Sequence, residues 1–282
     1  MKIITNIAKS IGVIVLSMVL FFIGQIVGDQ IASILPGPTL NYVIGKLLRT
    51  AVTVFLAWLL SSKLLKIDAD ELGIKPKKIN IALILLAIAL PVSVLIFYTF
   101  VLPGSPSVTE GIELAPIVVV AIFRGMAAGV CEEVIFRGIM FRYMKKTLGE
   151  KAAIIVPSIV FAAVHIMNMS QFDITDVVLL ILAITSVAIM FTMMVISSDS
   201  IYPGVFSHAI WNILLIYGIF GIGDIVNGGA NESFIKIPIE STSKLLTGGN
   251  FGIEAALPGM IGSIIVAIII YMMDRNKKAQ ID

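Results

Sequence analysis

The stretch PIVVVAIFRGMAAGVCEEVIFRGIMFRY, residues 116–143, sets the terms on which the rest of the chain is read. It is apolar for longer than a soluble helix needs, yet Arg124, Glu132, Glu133 and Arg137 lie inside it. At 1.5 Å rise per residue its ~28 residues reach ~42 Å, more than the ~30 Å hydrocarbon core of a bilayer. The expectation is a transmembrane helix whose far end, from Arg142 to Lys146, stands in water. Composition agrees: of 282 residues 58% are hydrophobic and 13% charged, with a mean hydropathy of +1.04, outside the range of soluble domains.

Segments of the same character lie near 11–28, 43–64, 79–102, 152–169, 176–197, 201–222 and 255–273. They predict an all-α polytopic membrane helix bundle of about eight transmembrane helices. No long polar linker and no fixed-period repeat divides the chain, so residues 1–282 read as a single integral membrane domain. The first span follows a basic start, but no small-residue cleavage site precedes Asp29, so it reads as retained. The bridge at Ser198–Ser200 is the shortest between two spans.

Loop charge gives the orientation, because cytoplasmic loops keep Lys and Arg. One set of alternate segments holds Lys2 and Lys9, then Lys63, Lys66, Lys75, Lys77 and Lys78, then Arg142, Lys145, Lys146 and Lys151, then Arg275, Lys277 and Lys278. The other set holds only Lys236 and Lys244; Lys46, Arg49, Arg124 and Arg137 fall within spans. Both termini are therefore expected in the cytoplasm, with the chain crossing the cell membrane many times. The net charge of +2 expresses this inner-face bias, and membrane lipid rather than nucleic acid is the implied partner. The segment Gly223–Glu254 reads as an outer loop, with a short strand in the alternating run Ser233–Ile239.

The only two histidines, His165 and His208, lie in apolar spans, as do the adjacent carboxylates Glu132 and Glu133. Ionisable groups in hydrocarbon are costly and point to function. Glu133 and Arg137 are four residues apart and share a helix face, so they can pair. Glu132 points about 100° away and is left to face a cavity. Spans four and five form an antiparallel hairpin with its turn at Thr147–Glu150, which puts Glu132 and His165 level. His208 lies ~12 Å along the seventh span from its inner end, and Asn212 follows one turn later on the same face. The four side chains converge in the inner half of the membrane.

Taken singly, each element has a structural explanation: a helix ion pair, a core histidine, an interhelical hydrogen bond. Their agreement in depth under one topology favours chemistry. A carboxylate and an imidazole can activate water, and a second imidazole with an amide can stabilise an oxyanion, which together describe an amide hydrolase. No GxSxG or HExxH string is present, so serine-hydrolase and zincin signatures are missing. Cys131, the one cysteine, excludes an internal disulfide and reads as a buried, inert thiol. A proton-coupled transporter with a Glu–His relay is a different reading, but its paired broken repeats are not evident. Arg124 is left either to pair with Glu110 or Glu113 or to face the cavity.

Three strings in order, EEVIFRG at Glu132–Gly138, FAAVH at Phe161–His165 and HAIWN at His208–Asn212, resemble the motifs of the CAAX protease and bacteriocin-processing family. The likeness covers roughly residues 116–215 as a catalytic core. It implies a glutamate-dependent intramembrane endopeptidase, with Glu132 as the base that activates water, His165 assisting, and His208 with Asn212 as the oxyanion hole. Glu133 and Arg137 would support that geometry. It further implies a membrane-associated peptide or protein substrate entering near the cytoplasmic face. No cofactor is implied; a metal at Glu132, His165 and His208 is an alternative, to which the hydrogen-bonding amide beside the second histidine is poorly suited. Some relatives are described as immunity or regulatory proteins, which leaves a non-catalytic binding role as the second reading.

Overall fold

In a bilayer no water pairs the peptide groups, so an apolar chain must satisfy them within helices. The computed structural model describes residues 2–35, 37–75, 80–102, 104–169, 171–223 and 233–279. Within them seven helices are long and apolar enough to cross a membrane. They are α1 (Lys2–Ser33), α2 (Pro38–Leu59, prolonged by a π turn to Leu65), α3 (Ile81–Ile96, prolonged to Val101), the rod α4–α5, α6 (Glu150–His165), α7 (Ile174–Ser198) and α9 (Leu257–Ala279). The rod joins α4 (Leu114–Glu133) through a π segment, Val134–Phe141, to α5 (Arg142–Leu148). At 35 residues it is longer than a bilayer core requires.

The seventh expected span, near 201–222, departs from its predicted bounds. α8 (Tyr202–Trp211) and its π continuation Asn212–Ile216 stop well before residue 222. Such a helix is only about 22 Å long. Tyr217 N closes the last turn on Asn212 O at 3.0 Å, and Gly218, at φ 92°, turns the chain away. Phe220–Ile222 then forms a strand. α8 is packed on most sides, with Pro203, Gly204, Val205, Ser207 and Ala209 all buried. Enclosed by other helices, it need not reach both membrane surfaces.

The hairpin turn falls where it was expected. Gly149, at φ 88°, ends α5 and begins α6. The expected strand in Ser233–Ile239 is present as β3 (Ile235–Ile237), between β1 (Ser107–Val108) and β2 (Phe220–Ile222). β1 is antiparallel and β2 parallel to it. Residues 224–232 of the expected outer loop lie outside the described residues.

At the end of the bundle that carries the basic loops, the chain is laced shut. Arg142 pairs with Asp199, and Lys146 with Glu71 at 2.6 Å. Tyr202 Oη donates to Ile74 O at 2.6 Å, and Ile201 N donates to Gly73 O at 3.1 Å. Beneath these ties Phe136, Ile139, Met140, Phe141 and Met144 are almost wholly buried.

α4 and α8 approach through glycines spaced four apart on α4. A Cβ at Gly129 would stand 2.8 Å from Val205 O, and one at Gly125 would stand 2.9 Å from Ala209 O. Without a hydrophobic drive between helices in lipid, such close approach is what lets them pack. Gly129→Val is expected to push the two helices apart and cost about 1–3 kcal/mol; a lower unfolding midpoint in detergent checks this, and an unchanged one contradicts it.

Candidate active site

The glycine face of α4 continues into Glu133 and Arg137, each four residues on, so Glu133 is aimed at α8. Gly204 leaves it room: a Cβ there would lie 3.0 Å from Glu133 Oε2. The Glu133 side chain is 0% exposed. Its Oε1 accepts from Arg137 Nη1 at 2.9 Å and lies 3.3 Å from His208 Nδ1. Arg137 Nη2 donates to Ala188 O at 2.9 Å. The guanidinium sits near the rings of Phe161 and Phe191, at 4.8 and 5.3 Å. The expected Glu133–Arg137 pair is thus formed, and its cation is compensated by charge, carbonyl and ring faces together.

Glu132, one residue back and rotated by about 100°, faces a cavity instead, with 15% of its side chain exposed. Its Oε2 is 3.7 Å from His208 Nε2, beyond direct hydrogen-bond length. His208 therefore stands between two carboxylates, one at each ring nitrogen. Its ring stacks on Phe191 with centroids 5.2 Å apart. Asn212 is buried one turn on and lines the same cavity.

His165 is the last residue of α6. Its Nδ1 lies 2.8 Å from Phe161 O, and because a carbonyl only accepts, Nδ1 is the donor. In the neutral ring that leaves Nε2 as an acceptor, in the cavity that Glu132 also lines. π-helical turns begin directly after Glu133 and at Asn212, the kind of local rewinding that recurs at functional sites.

The cavity has a volume of about 750 Å³ and brings together Glu132, His165, His208 and Asn212. Its remaining walls come from residues to which no role was assigned from the sequence: Asp29 on α1, Tyr42, Lys46 and Arg49 on α2, and Phe251 and Glu254 from the loop. Lys46 and Arg49 already stood out as charges within a span, which was the available signal. Arg124 faces the cavity, its guanidinium 4.1 Å from the Tyr217 ring centroid. Cys131 is buried, with Sγ 3.9 Å from Thr50 Oγ1.

Glu132, His165 and His208 line one cavity, and the Nδ1 contacts of the two histidines leave their Nε2 atoms on its side. Among the described residues no group of three or more His, Cys, Asp or Glu is placed to hold an ion.

The loop wall is clamped to the start of α7. Lys244 Nζ lies 2.9 Å from both Asp173 Oδ1 and Asp176 Oδ1, and Asn250 N donates to Asp176 Oδ2 at 3.0 Å. Tyr98 Oη donates to Leu246 O at 2.6 Å. The hydrogen bond from Lys244 holds the Asp173 carboxyl below the usual carboxylate range. Bonds to Asp176 and Asp173 hold Lys244 above its ordinary value.

Residues 114–214 match the family model described as Rce1-like: type II CAAX prenyl endopeptidase Rce1-like. The matched stretch holds all three motifs and nearly coincides with the core expected at 116–215. No curated protein and no solved structure matches the chain.

Two outcomes are expected. Arg137→Met strands the Glu133 charge in the interior and should cost about 3–5 kcal/mol of stability, while Arg137→Lys, unable to serve Glu133 and Ala188 O with one planar fork, recovers only part. Thermal unfolding in detergent checks both. The clamp contribution of Asp173, whose acidity is increased, holds above the ordinary carboxylate value and is lost as pH falls below about 4; that of Lys244 is lost only as pH rises above about 10. Protection factors for amide exchange over residues 244–256, taken relative to the intrinsic rate at each pH, should stay high at neutral pH and fall below about pH 4, and protection unchanged in acid contradicts the clamp.

Proposed function

We propose that this chain, whose residues 114–214 match the Rce1-like CAAX prenyl endopeptidase model, is a multi-pass endopeptidase of the cell membrane. It hydrolyses a peptide bond of a membrane-associated peptide or protein with water activated by a glutamate. The observation that carries this reading is the pair Glu132 and His208. One is a carboxylate facing a cavity and the other an imidazole 3.7 Å away, with Asn212 a turn beyond. A scissile carbonyl entering that gap meets a base on one side and donors on the other.

In the proposed step Glu132 takes a proton from water, and the hydroxide adds to the carbonyl carbon. His165, with its Nδ1 fixed on Phe161 O, offers Nε2 to the same water. With a carboxylate at each ring nitrogen His208 acts as the imidazolium, both nitrogens donating, and the oxyanion accepts from its Nε2–H and from the Asn212 side-chain amide. The C–N bond then breaks, and the proton on Glu132 passes to the leaving nitrogen, giving a carboxylate and an amine. Glu133 and Arg137 act as positioning residues. By engaging Nδ1, Glu133 turns His208 Nε2 toward the cavity. The chain works as one domain, with the core at 116–215 and the flanking helices as its walls.

Comparative peptidomics of membranes holding wild type or Glu132→Gln tests the reading. A product present only with wild type is expected, its formation falling by about 10²–10⁴ in the variant. Asn212→Ala should lose about 10²–10³. Products unchanged in Glu132→Gln, with the variant correctly inserted, would exclude the hydrolase and leave a binding role.

A further inference from the structure

The cavity has a direction. α1, α2 and α6 line it from their halves remote from the basic loops, whereas the α4–α5 rod and α8 reach deeper, with Glu132, Phe136 and His208 at its base. On α1 the lining includes Gln25 and Asp29, toward the end at Ser33; on α2, Lys46 and Arg49, soon after its start at Pro38. α6 contributes His165 at its finish and the 3-10 turn after it Asn168, and the loop after α8 contributes Phe251 and Glu254. No lining residue comes from the basic segments around Lys63–Lys75, Arg142–Lys151 or Arg275. Toward those segments the floor is closed by Phe136, with Ile139, Met140 and Met144 buried behind it, and then by the ties of Arg142 and Lys146.

Short loops obey the charge bias that sets orientation, and all the basic segments fall at the closed end. Counting Lys46, Arg49 and Arg124 with the open end does not reverse the asymmetry. The mouth is polar, holding the Lys46–Asp29 pair at 3.1 Å, Arg124 and Glu254, as suits a water-filled opening into a membrane protein.

We infer that the cavity opens to the non-cytoplasmic side, so that the peptide it admits is an exported peptide or the outer juxtamembrane segment of a membrane protein. This replaces the entry near the cytoplasmic face that the motif resemblance implied. The nature of the substrate rests on the peptidase reading, whereas the direction of the cavity does not. The site lies deep: His208 is only two turns from the closed inner end of α8, so a substrate must descend past Lys46 and Arg124 to reach Glu132.

The test is cysteine labelling of the full chain in intact cells with a charged, membrane-impermeant thiol reagent. Cys131 is buried and stays in place as an unlabelled background. Gln25→Cys on the cavity wall and Asn168→Cys at its mouth should label from outside, whereas Lys151→Cys should label only after permeabilisation. Reaction of each variant in denaturant verifies that the thiol is present. Labelling of Gln25→Cys and Asn168→Cys that requires permeabilisation, or that of all three from the same side, overturns the inference. Neither result needs turnover, so loss of the peptidase reading through an unchanged Glu132→Gln product pattern is a separate event.

Discussion

The buried contact of Glu133 with Arg137 and His208 is the constraint around which the site is assembled. A carboxylate with no exposed side-chain surface is tolerated at this depth only if other groups compensate its charge. Arg137 supplies one bond and His208 stands at 3.3 Å. Arg137 is in turn anchored to the backbone of α7 through Ala188 O. One ion pair thereby fixes the relative rotation of the α4 rod, α7 and α8, because turning any of them would strand a charge in apolar surroundings.

Everything on the reactive side follows from that rotation. With Glu133 turned to α8, the adjacent Glu132 must face elsewhere, and the space it faces is the cavity. The two neighbouring carboxylates acquire different surroundings from helix geometry alone. Gly129 and Gly204 contribute by what they lack: a side chain at either would separate α4 from α8 and lengthen the Glu133–His208 contact. The aromatic rings of Phe161 and Phe191 fill the remaining space around His208 and Arg137 and keep water from the pair.

The loop that precedes the last helix joins this frame from the opposite end. Phe251 approaches the His165 ring at 6.2 Å, and Glu254 lines the same cavity. Their placement depends on Lys244 bridging two aspartates at the start of α7. The site is thus closed by packed phenylalanines and ion pairs on the side of the basic loops, and walled by a polar loop on the other. That asymmetry separates depth from access: Glu132 and His208 lie toward the end that carries the basic loops, yet the cavity that reaches them is walled at the other.

Much of this was legible in the chain because hydrophobic length and i,i+4 spacing are local properties. The membrane class, the hairpin at Gly149, the Glu133–Arg137 pair and the inward-facing Glu132 all follow from helix periodicity and the cost of burying charge. The sequence-derived reading missed the early end of α8, since an apolar run does not reveal that its last residues leave the helix to pair as a strand. It also gave no role to Asp29, Lys46 and Arg49, which enter the cavity only because α1 and α2 pack against the core. Periodicity assigns each side chain to a face of its own helix, but which faces meet, and at which end the gap between them stays open, is set by long-range packing that no single segment encodes.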